Sequence, residues 1–210
     1  MALPALTIRN RARTRISTAY IAMLSIATAC IATMHSPLLA APLSYAVDPK
    51  HTYASFEVDH LGLSMARGTF DRTSGNIEID PAEGSGYIKI VIDTASIDTG
   101  LAKRDEHLRA AQFFNIVAYP TMTFTAATMH FDGDTLIGAD GHLTMLGKTL
   151  PVSLKITRFN CRLHPIRKRP ACGADAYTQI RRSDWGMKTY VPTIGDNVTI
   201  RIGVEAFKQP

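Results

Sequence analysis

His60 is the titratable side chain best placed for chemistry in this sequence. It ends an alternating run in which Ala54, Phe56 and Val58 share its parity, so we expect it on the inner face at the end of a β-strand. There it could contact the head group of a ligand, or act as the base of a hydrolase or isomerase with an apolar substrate. The alternative is a hydrogen-bonded histidine at the rim of the fold. Because no serine stands in a strand-to-helix elbow, the histidine has no nucleophile to activate, and we predict no catalytic residue and no enzyme.

The other candidate residues do not predict a metal, phosphate or nucleic-acid site. The Gly84-Ser85-Gly86 segment is a turn, and the remaining histidines lack the close pairs of metal sites. The formal net charge is +5, but four of these charges are arginines within residues 1–40, which leaves +1 for residues 41–210. A nearly neutral folded part lacks the basic surface that phosphate backbones require. We therefore predict no metal, no cofactor and no nucleic-acid partner.

Cys161 and Cys172 are expected to form a disulfide if the protein is exported, because an oxidising compartment permits it. Such a short loop would stabilise the fold by about 3 kcal/mol. The alternative is a metal site, but two cysteines with only His164 between them lack the usual zinc spacing.

Two groups of charged residues leave alternatives open. Arg104, Asp105 and Arg109 could bind a charged head group, or could form a solvated face or an ion pair that fixes a helix against the barrel. The Arg167-Lys168-Arg169 run between the cysteines is either a solvated loop tip or a contact with an anionic membrane surface.

The first 41 residues have the pattern of a cleaved secretory signal peptide. Four arginines precede an uncharged stretch from Ile16 to about Met34, and the small-residue exit ends in Ala40-Ala41. The alternative is a permanent transmembrane anchor, although the apolar run is near the lower limit for a span. Acylation at Cys30 is a further alternative, but the expected leucine is replaced by Ala27. We predict a periplasmic protein with no stable membrane span after cleavage.

Residues 42–210 are predicted to form one domain of mostly β-structure. Alternating apolar residues predict strands near residues 54–60, 77–79, 88–93, 122–126, 150–156 and 198–206. Turn signals such as Arg72-Thr73-Ser74-Gly75 separate them, without crossover helices, so the strands should form an antiparallel meander. Apolar residues at helical spacing between Ser96 and Phe114 predict one short amphipathic helix. About eight strands favour a closed barrel, whose interior is either filled by side chains or holds one small ligand.

Several segments resemble the YceI-like family, in that family's order and spacing. They begin with Tyr45-Ala46-Val47-Asp48-Pro49 and Phe56-Glu57-Val58-Asp59-His60. The central signature is similar in Ser96-Ile97-Asp98-Thr99-Gly100, Arg104-Asp105-Glu106-His107-Leu108-Arg109 and Tyr119-Pro120-Thr121-Met122-Thr123-Phe124. Gly141-His142-Leu143-Thr144-Met145-Leu146-Gly147-Lys148-Thr149 matches the second half, so the resemblance runs from about Tyr45 to Phe207.

This resemblance implies an all-β, lipocalin-like barrel of eight antiparallel strands with one short helix between central strands. It also implies a periplasmic protein that binds a polyisoprenoid or similar long amphiphilic lipid inside the barrel, and it makes a homodimer plausible. The alternatives are a filled barrel with a structural or stress-response role and, less favoured, the enzyme considered above. The predicted lipid-binding residues are inward or aromatic positions: Phe56, Val58, His60, Phe70, Ile90, Phe113, Phe124, Ala126, Leu143, Leu154 and Trp185.

Overall fold

The structure, a computed structural model, describes residues 42–80 and 83–210. The predicted signal peptide, with its alternatives of a membrane anchor and acylation at Cys30, lies outside these residues. Within the two described ranges, no helix combines the length and apolar character that crossing a membrane would need.

Eleven strand segments form one sheet in the described part of the chain. Their bounds are β1 Leu43–Val47, β2 Tyr53–His60, β3 Ser64–Phe70, β4 Thr73–Asp80, β5 Ser85–Asp93, β6 Ile97–Asp98, β7 Thr121–Asp132, β8 Thr135–Met145, β9 Lys148–Leu163, β10 Pro170–Arg181 and β11 Ile194–Lys208. Two short 3-10 helices, Thr94–Ser96 and Arg182–Trp185, and the α-helix α1, Ala102–Arg109, connect them.

The sheet closes into a barrel of eight antiparallel strands because three of these are bent and divided in two. β1 with β2 forms one strand, since β11 pairs with β2 over residues 194–203 and with β1 over residues 206–208. β3 with β4 forms the next, and β5 with β6 the third, because β5 pairs with β4 while β6 pairs with β3. Strands β7 to β11 then follow in chain order. The predicted antiparallel barrel with eight strands is confirmed.

The helix is shorter than predicted, and polar contacts hold it in addition to Leu108, which packs against the main core. Its buried residue is Asp105, whereas Leu101 at its N-terminus is 54% exposed. The Asp105 carboxylate accepts hydrogen bonds from the backbone N–H and the hydroxyl of Thr99, at 2.9 and 2.5 Å. Arg109 donates to the carbonyls of Ala95 and Ile97, at 2.9 and 2.7 Å. These contacts attach α1 to residues 95–99, and the helix ends at Arg109.

The two ends of the barrel differ in construction. At the end that carries α1, the chain after the 3-10 helix Arg182–Trp185 reaches β11 through residues 186–193. At the opposite end, β9 and β10 form a long hairpin in which Cys161 and Cys172 face each other in register and form the predicted disulfide. A small buried cluster of Tyr45, Cys172 and Ala206 lies near this hairpin, apart from the main core.

Candidate functional site

The inward faces of the strands line a cavity of about 230 Å³ that is partly open to solvent and whose accessible wall is apolar. Binding pockets for small molecules commonly measure roughly 300–1,000 Å³, so this cavity lies just below that range and suits a slender ligand rather than a bulky one. Apolar cavities of this kind remain dry and accept apolar molecules, because water inside them would lack hydrogen-bond partners. The arrangement can enclose a hydrocarbon chain.

Alternation along each strand explains why this interior is apolar. On β2, Ala54, Phe56 and Val58 line the cavity, while Glu57 points outward and lies 3.2 Å from Arg67. β5 contributes Ile88 and Ile90 in the same way, with Lys89 exposed between them.

Eight of the eleven residues predicted to contact a lipid line this cavity. They are Phe56, Val58, Phe70, Ile90, Phe113, Phe124, Leu143 and Leu154. Phe56, Phe70 and Phe114 form a connected aromatic group, with ring centroids 5.9 Å apart for the first pair and 5.4 Å for the second. Their contact with a lipid remains a prediction.

The other three predicted residues do not line the cavity. His60 is exposed where β2 ends, so it has the expected parity but lies outside the enclosed space. Ala126 is 2% exposed and lies in register between Ile88 and Gly141, within the packed wall. Trp185 is also buried, and its indole N–H donates to the carbonyl of Leu143 at 3.1 Å. The size and apolar character of a residue do not tell whether it faces the cavity or packs within the wall.

β10 supplies lining residues that the sequence reasoning missed. Ala174, Ala176, Thr178 and Ile180 all face the cavity. These four residues alternate along the sequence, as expected for a strand. Three of them are small or polar, so the hydropathy of the segment did not indicate a strand. Small inward residues on one strand leave space that larger side chains would occupy.

Arg182 is the one charged residue among the described residues that line the cavity. It is 4% exposed, and its guanidinium donates to four backbone carbonyls, those of Met187, Thr189, Ile194 and Gly195, at 2.8–3.0 Å. Burial lowers the pKa of Arg182, and the charge of Asp196 partly opposes this shift. Because its donors are committed to carbonyls of the 187–195 segment, Arg182 fixes that segment across the end of the barrel.

The same end is closed by contacts between the chain after α1 and the segment that Arg182 holds. His107, Phe113 and Tyr190 form an aromatic cluster with ring centroids 5.0–6.3 Å apart. The hydroxyl of Thr189 donates to the carbonyl of Gln112 at 2.9 Å. Arg104 donates to the carbonyl of Thr99 at 2.6 Å and to its hydroxyl. Arg104, Asp105 and Arg109 therefore attach α1 to the preceding chain through hydrogen bonds, which differ from the ion pair with the barrel that we considered for them.

The titratable residues in the described part of the chain do not assemble a nucleophile with its base. His130 Nε2 lies 2.6 Å from Asp140 Oδ2, and the Ser153 hydroxyl donates to the other oxygen of the same carboxylate at 2.5 Å. The carboxylate therefore separates the serine from the histidine, whereas a catalytic triad needs these two in contact. The hydrogen bonds from Ser153 and His130 lower the pKa of Asp140, as expected for an exposed polar network. No group of three or more histidine, cysteine, aspartate or glutamate side chains that could hold a metal occurs in residues 42–80 and 83–210.

Comparisons with known proteins agree on the family and on the fold. The family model for the YceI-like domain matches residues 45–206. Protein YceI of Escherichia coli O157:H7 is 34% identical over 179 residues, which cover 84% of this chain and 93% of that protein. Among solved structures, the Campylobacter jejuni YCEI protein is 28% identical with a TM-score of 0.62, covering 72% of this chain and 90% of its own.

A second solved structure, a polyisoprenoid binding domain from Saccharophagus degradans implicated in plant cell wall breakdown, shares the fold with a TM-score of 0.60. It is 19% identical and covers 80% of this chain and 99% of its own. Burkholderia cenocepacia BcnA also shares the fold, with a TM-score of 0.63 at 22% identity over 76% of this chain and 98% of its own.

Proposed function

The chain belongs to the YceI-like family, and on this premise we propose that it is a periplasmic carrier that holds a polyisoprenoid or similar long amphiphilic lipid inside its barrel. The observation that carries the proposal is the cavity inside the barrel, whose accessible wall is apolar. The polyisoprenoid binding domain that shares the fold supports the choice of lipid class.

The physical chemistry of the cavity favours a hydrocarbon tail over a polar ligand. Each methylene-sized group that leaves water contributes about 0.8 kcal/mol. A tail that buries about ten or more such groups contributes about 8 kcal/mol or more, which is comparable with the cost of association even without a strong polar contact. The buried charge at the wall, Arg182, already donates four of its five N–H groups to carbonyls, which leaves at most one donor for an anionic head group. Selection should therefore depend on the length and width of the tail.

A binding role fits the described residues better than catalysis. An enzyme acting on a lipid needs reactive groups beside the enclosed chain, whereas His60 is exposed outside the cavity. The serine and histidine that share a carboxylate, Ser153 and His130, lie on the outer face of the sheet.

Export to the periplasm rests on two features of the chain. The first is the basic, apolar and small-residue order of residues 1–41. The second is the disulfide between Cys161 and Cys172, since such bonds persist in oxidising compartments and are rare in the cytosol.

Native mass spectrometry of the protein purified after export in a bacterial host tests the proposal. We expect a mass increment of one bound molecule per chain, and organic extraction followed by lipid analysis should identify a long-chain isoprenoid or related amphiphile. A ligand-free mass that persists after incubation with quinones and prenyl lipids would contradict the proposal and favour a filled barrel with a structural role.

A cavity-filling substitution locates the lipid. Ala176 faces the cavity between Ile156 and Ile202 on the neighbouring strands, so Ala176→Phe places a ring where the tail should lie. We expect this variant to lose the bound lipid. The matched control is Ala127→Phe, the same change at an exposed position of β7, which should retain it. Equal lipid content in both folded variants would place the ligand elsewhere.

A further inference from the structure

The turn between β9 and β10 exposes large apolar side chains at the end of the barrel opposite α1. We call residues 162–169 the hairpin tip. Ile166 is 84% exposed and Leu163 is 60% exposed, and Pro165 between them is exposed as well. Exposed apolar side chains of this size at the tip of a hairpin indicate a contact surface when the charged residues around them also have one sign.

The charge of the hairpin tip is of one sign. It carries Arg162, Arg167, Lys168 and Arg169, and residues 160–170 contain no aspartate or glutamate. One of these cations is neutralised, because Arg167 lies 3.3 Å from the buried carboxylate of Asp48. Three cations remain beside the apolar residues, although the folded part of the chain as a whole is nearly neutral.

Hydrogen bonds, ring contacts and the disulfide hold the hairpin tip in place, so that this surface is formed without a partner. The Nδ1 atom of His164 accepts hydrogen bonds from the backbone N–H groups of Ile166 and Arg167, at 3.2 and 3.1 Å. The guanidiniums of Arg167 and Arg169 lie over the ring of Phe207, at 4.6 and 5.7 Å from its centroid. The disulfide joins the two strands next to the turn. Binding therefore requires little ordering of the chain, which is the usual cost of association for a loop.

We propose that the hairpin tip docks the protein on an anionic phospholipid membrane. The cations lie at the level of the phosphates, and Ile166 and Leu163 enter the boundary between head groups and acyl chains. A surface that combines cations with exposed aliphatic side chains fits this interface, because lipid head groups supply the negative charge and acyl chains the apolar environment. Soluble nucleic acid would satisfy only the charges and would leave the aliphatic side chains in water. Docking goes beyond the proposed function and is independent of it, because the hairpin tip lies outside the cavity.

Co-sedimentation with lipid vesicles tests the proposal on the exported protein. We expect binding to phosphatidylcholine vesicles that contain phosphatidylglycerol, weaker binding to phosphatidylcholine alone, and a decrease with salt. Arg162→Gln combined with Lys168→Gln removes two cations that hold no other part of the tip. Each loss should lower the partition coefficient on the order of fivefold at low salt. Ile166→Ser should lower it about tenfold, since its side chain no longer leaves water.

Matched changes elsewhere on the surface are the controls. Lys89→Gln combined with Lys103→Gln removes the same charge from exposed positions on β5 and α1, and Val117→Ser truncates a side chain that is 93% exposed. Both should bind vesicles as the parent protein does. Equal losses in the control and tip variants would overturn the proposal, as would binding to soluble DNA without binding to vesicles. Lipid extracted from the cavity should be the same in all variants, which separates this test from that of the proposed function.

Discussion

Replacement of Arg182 by methionine should destabilise the barrel by more than any exposed change at the same end. The guanidinium donates to the carbonyls of Met187, Thr189, Ile194 and Gly195. Methionine keeps much of the apolar stem but donates no hydrogen bond. The substitution therefore leaves four carbonyls without this donor, of which that of Met187 is in a buried hydrogen bond and the other three are in partly buried ones.

The expected magnitude follows from two opposing contributions. Hydrogen bonds to a charged group contribute about 1.5–3 kcal/mol each, so four of them amount to roughly 6–12 kcal/mol. Removing the charge also relieves several kcal/mol of desolvation, the same effect that lowers the pKa of Arg182. A net loss of about 3–5 kcal/mol remains. For a chain of this size, 1 kcal/mol lowers Tm by about 2–4 °C, so a loss of about 3–5 kcal/mol should lower Tm by about 6–20 °C.

Thermal unfolding followed by circular dichroism, with urea unfolding for the free energy, measures this effect. The control is Arg181→Met at the neighbouring residue, where the side chain is 64% exposed and lies 3.3 Å from Asp196. An exposed ion pair contributes only about 0–1 kcal/mol, so Tm should hardly change. If Arg182→Met also cost less than about 1 kcal/mol, the carbonyls would have other partners and the role assigned to Arg182 would be refuted.

Two further predictions concern the disulfide and acid stability. Cys161→Ala combined with Cys172→Ala should lower the free energy of unfolding by about 3 kcal/mol, because the denatured chain loses a short cross-linked loop; a urea midpoint equal to that of the parent protein would contradict this. Burial raises the pKa of Asp48, but hydrogen bonds from His51 and the Lys50 N–H, with the charge of Arg167, outweigh it and lower that pKa below 3.8. Burial also raises the pKa of Asp196, and hydrogen bonds from Ser183 and Arg181 lower it below its ordinary value. A lowered folded-state pKa contributes stability that is present above pH 3.8 and is lost as pH falls below it. Asp48→Asn combined with Asp196→Asn should therefore flatten the decline of stability in acid, measured as Tm against pH, and an unchanged slope would assign that decline to other carboxylates.

The sequence predicted the strands whose inward residues are large and apolar. On β2, β5, β7 and β11, alternation places Phe, Ile, Val or Met toward the interior, and the structure confirms these strands. Alternation failed on β3 for a physical reason. Its inward residue Gly68 faces Phe56 in register, and a Cβ at this glycine would lie 2.6 Å from the Phe56 ring. Because Phe56 occupies the space between the two strands, its partner on β3 has to be a glycine. Hydropathy therefore marks β2 as a strand but not β3.

The polar contacts at the end of the barrel could not be predicted from the sequence. Arg182 donates to backbone carbonyls, which every residue has, so no residue type identifies its acceptors. Asp105 lies in a segment that resembles the central signature of the family, but the sequence does not reveal its role. Its carboxylate accepts hydrogen bonds from the N–H and the hydroxyl of Thr99, which are near it only because the chain bends before α1. The lining residues Ala174 and Ala176 were missed because β10 itself was not predicted.

The distribution of small and polar residues explains how one barrel can be both stable and hollow. A filled core stabilises a fold through packing, and each buried group that is removed to make room costs stability. Here Ala174 and Ala176 leave space inside, while the closed ladder of eight strands removes the sheet edges. In addition to the buried apolar core, stabilising contacts lie at the two ends: Arg182 and α1 at one, and the disulfide at the other. Loss of Arg182 or of the disulfide should therefore lower the stability of the barrel whether or not a lipid is bound, whereas changes at lining residues such as Ala176 should mainly affect the ligand.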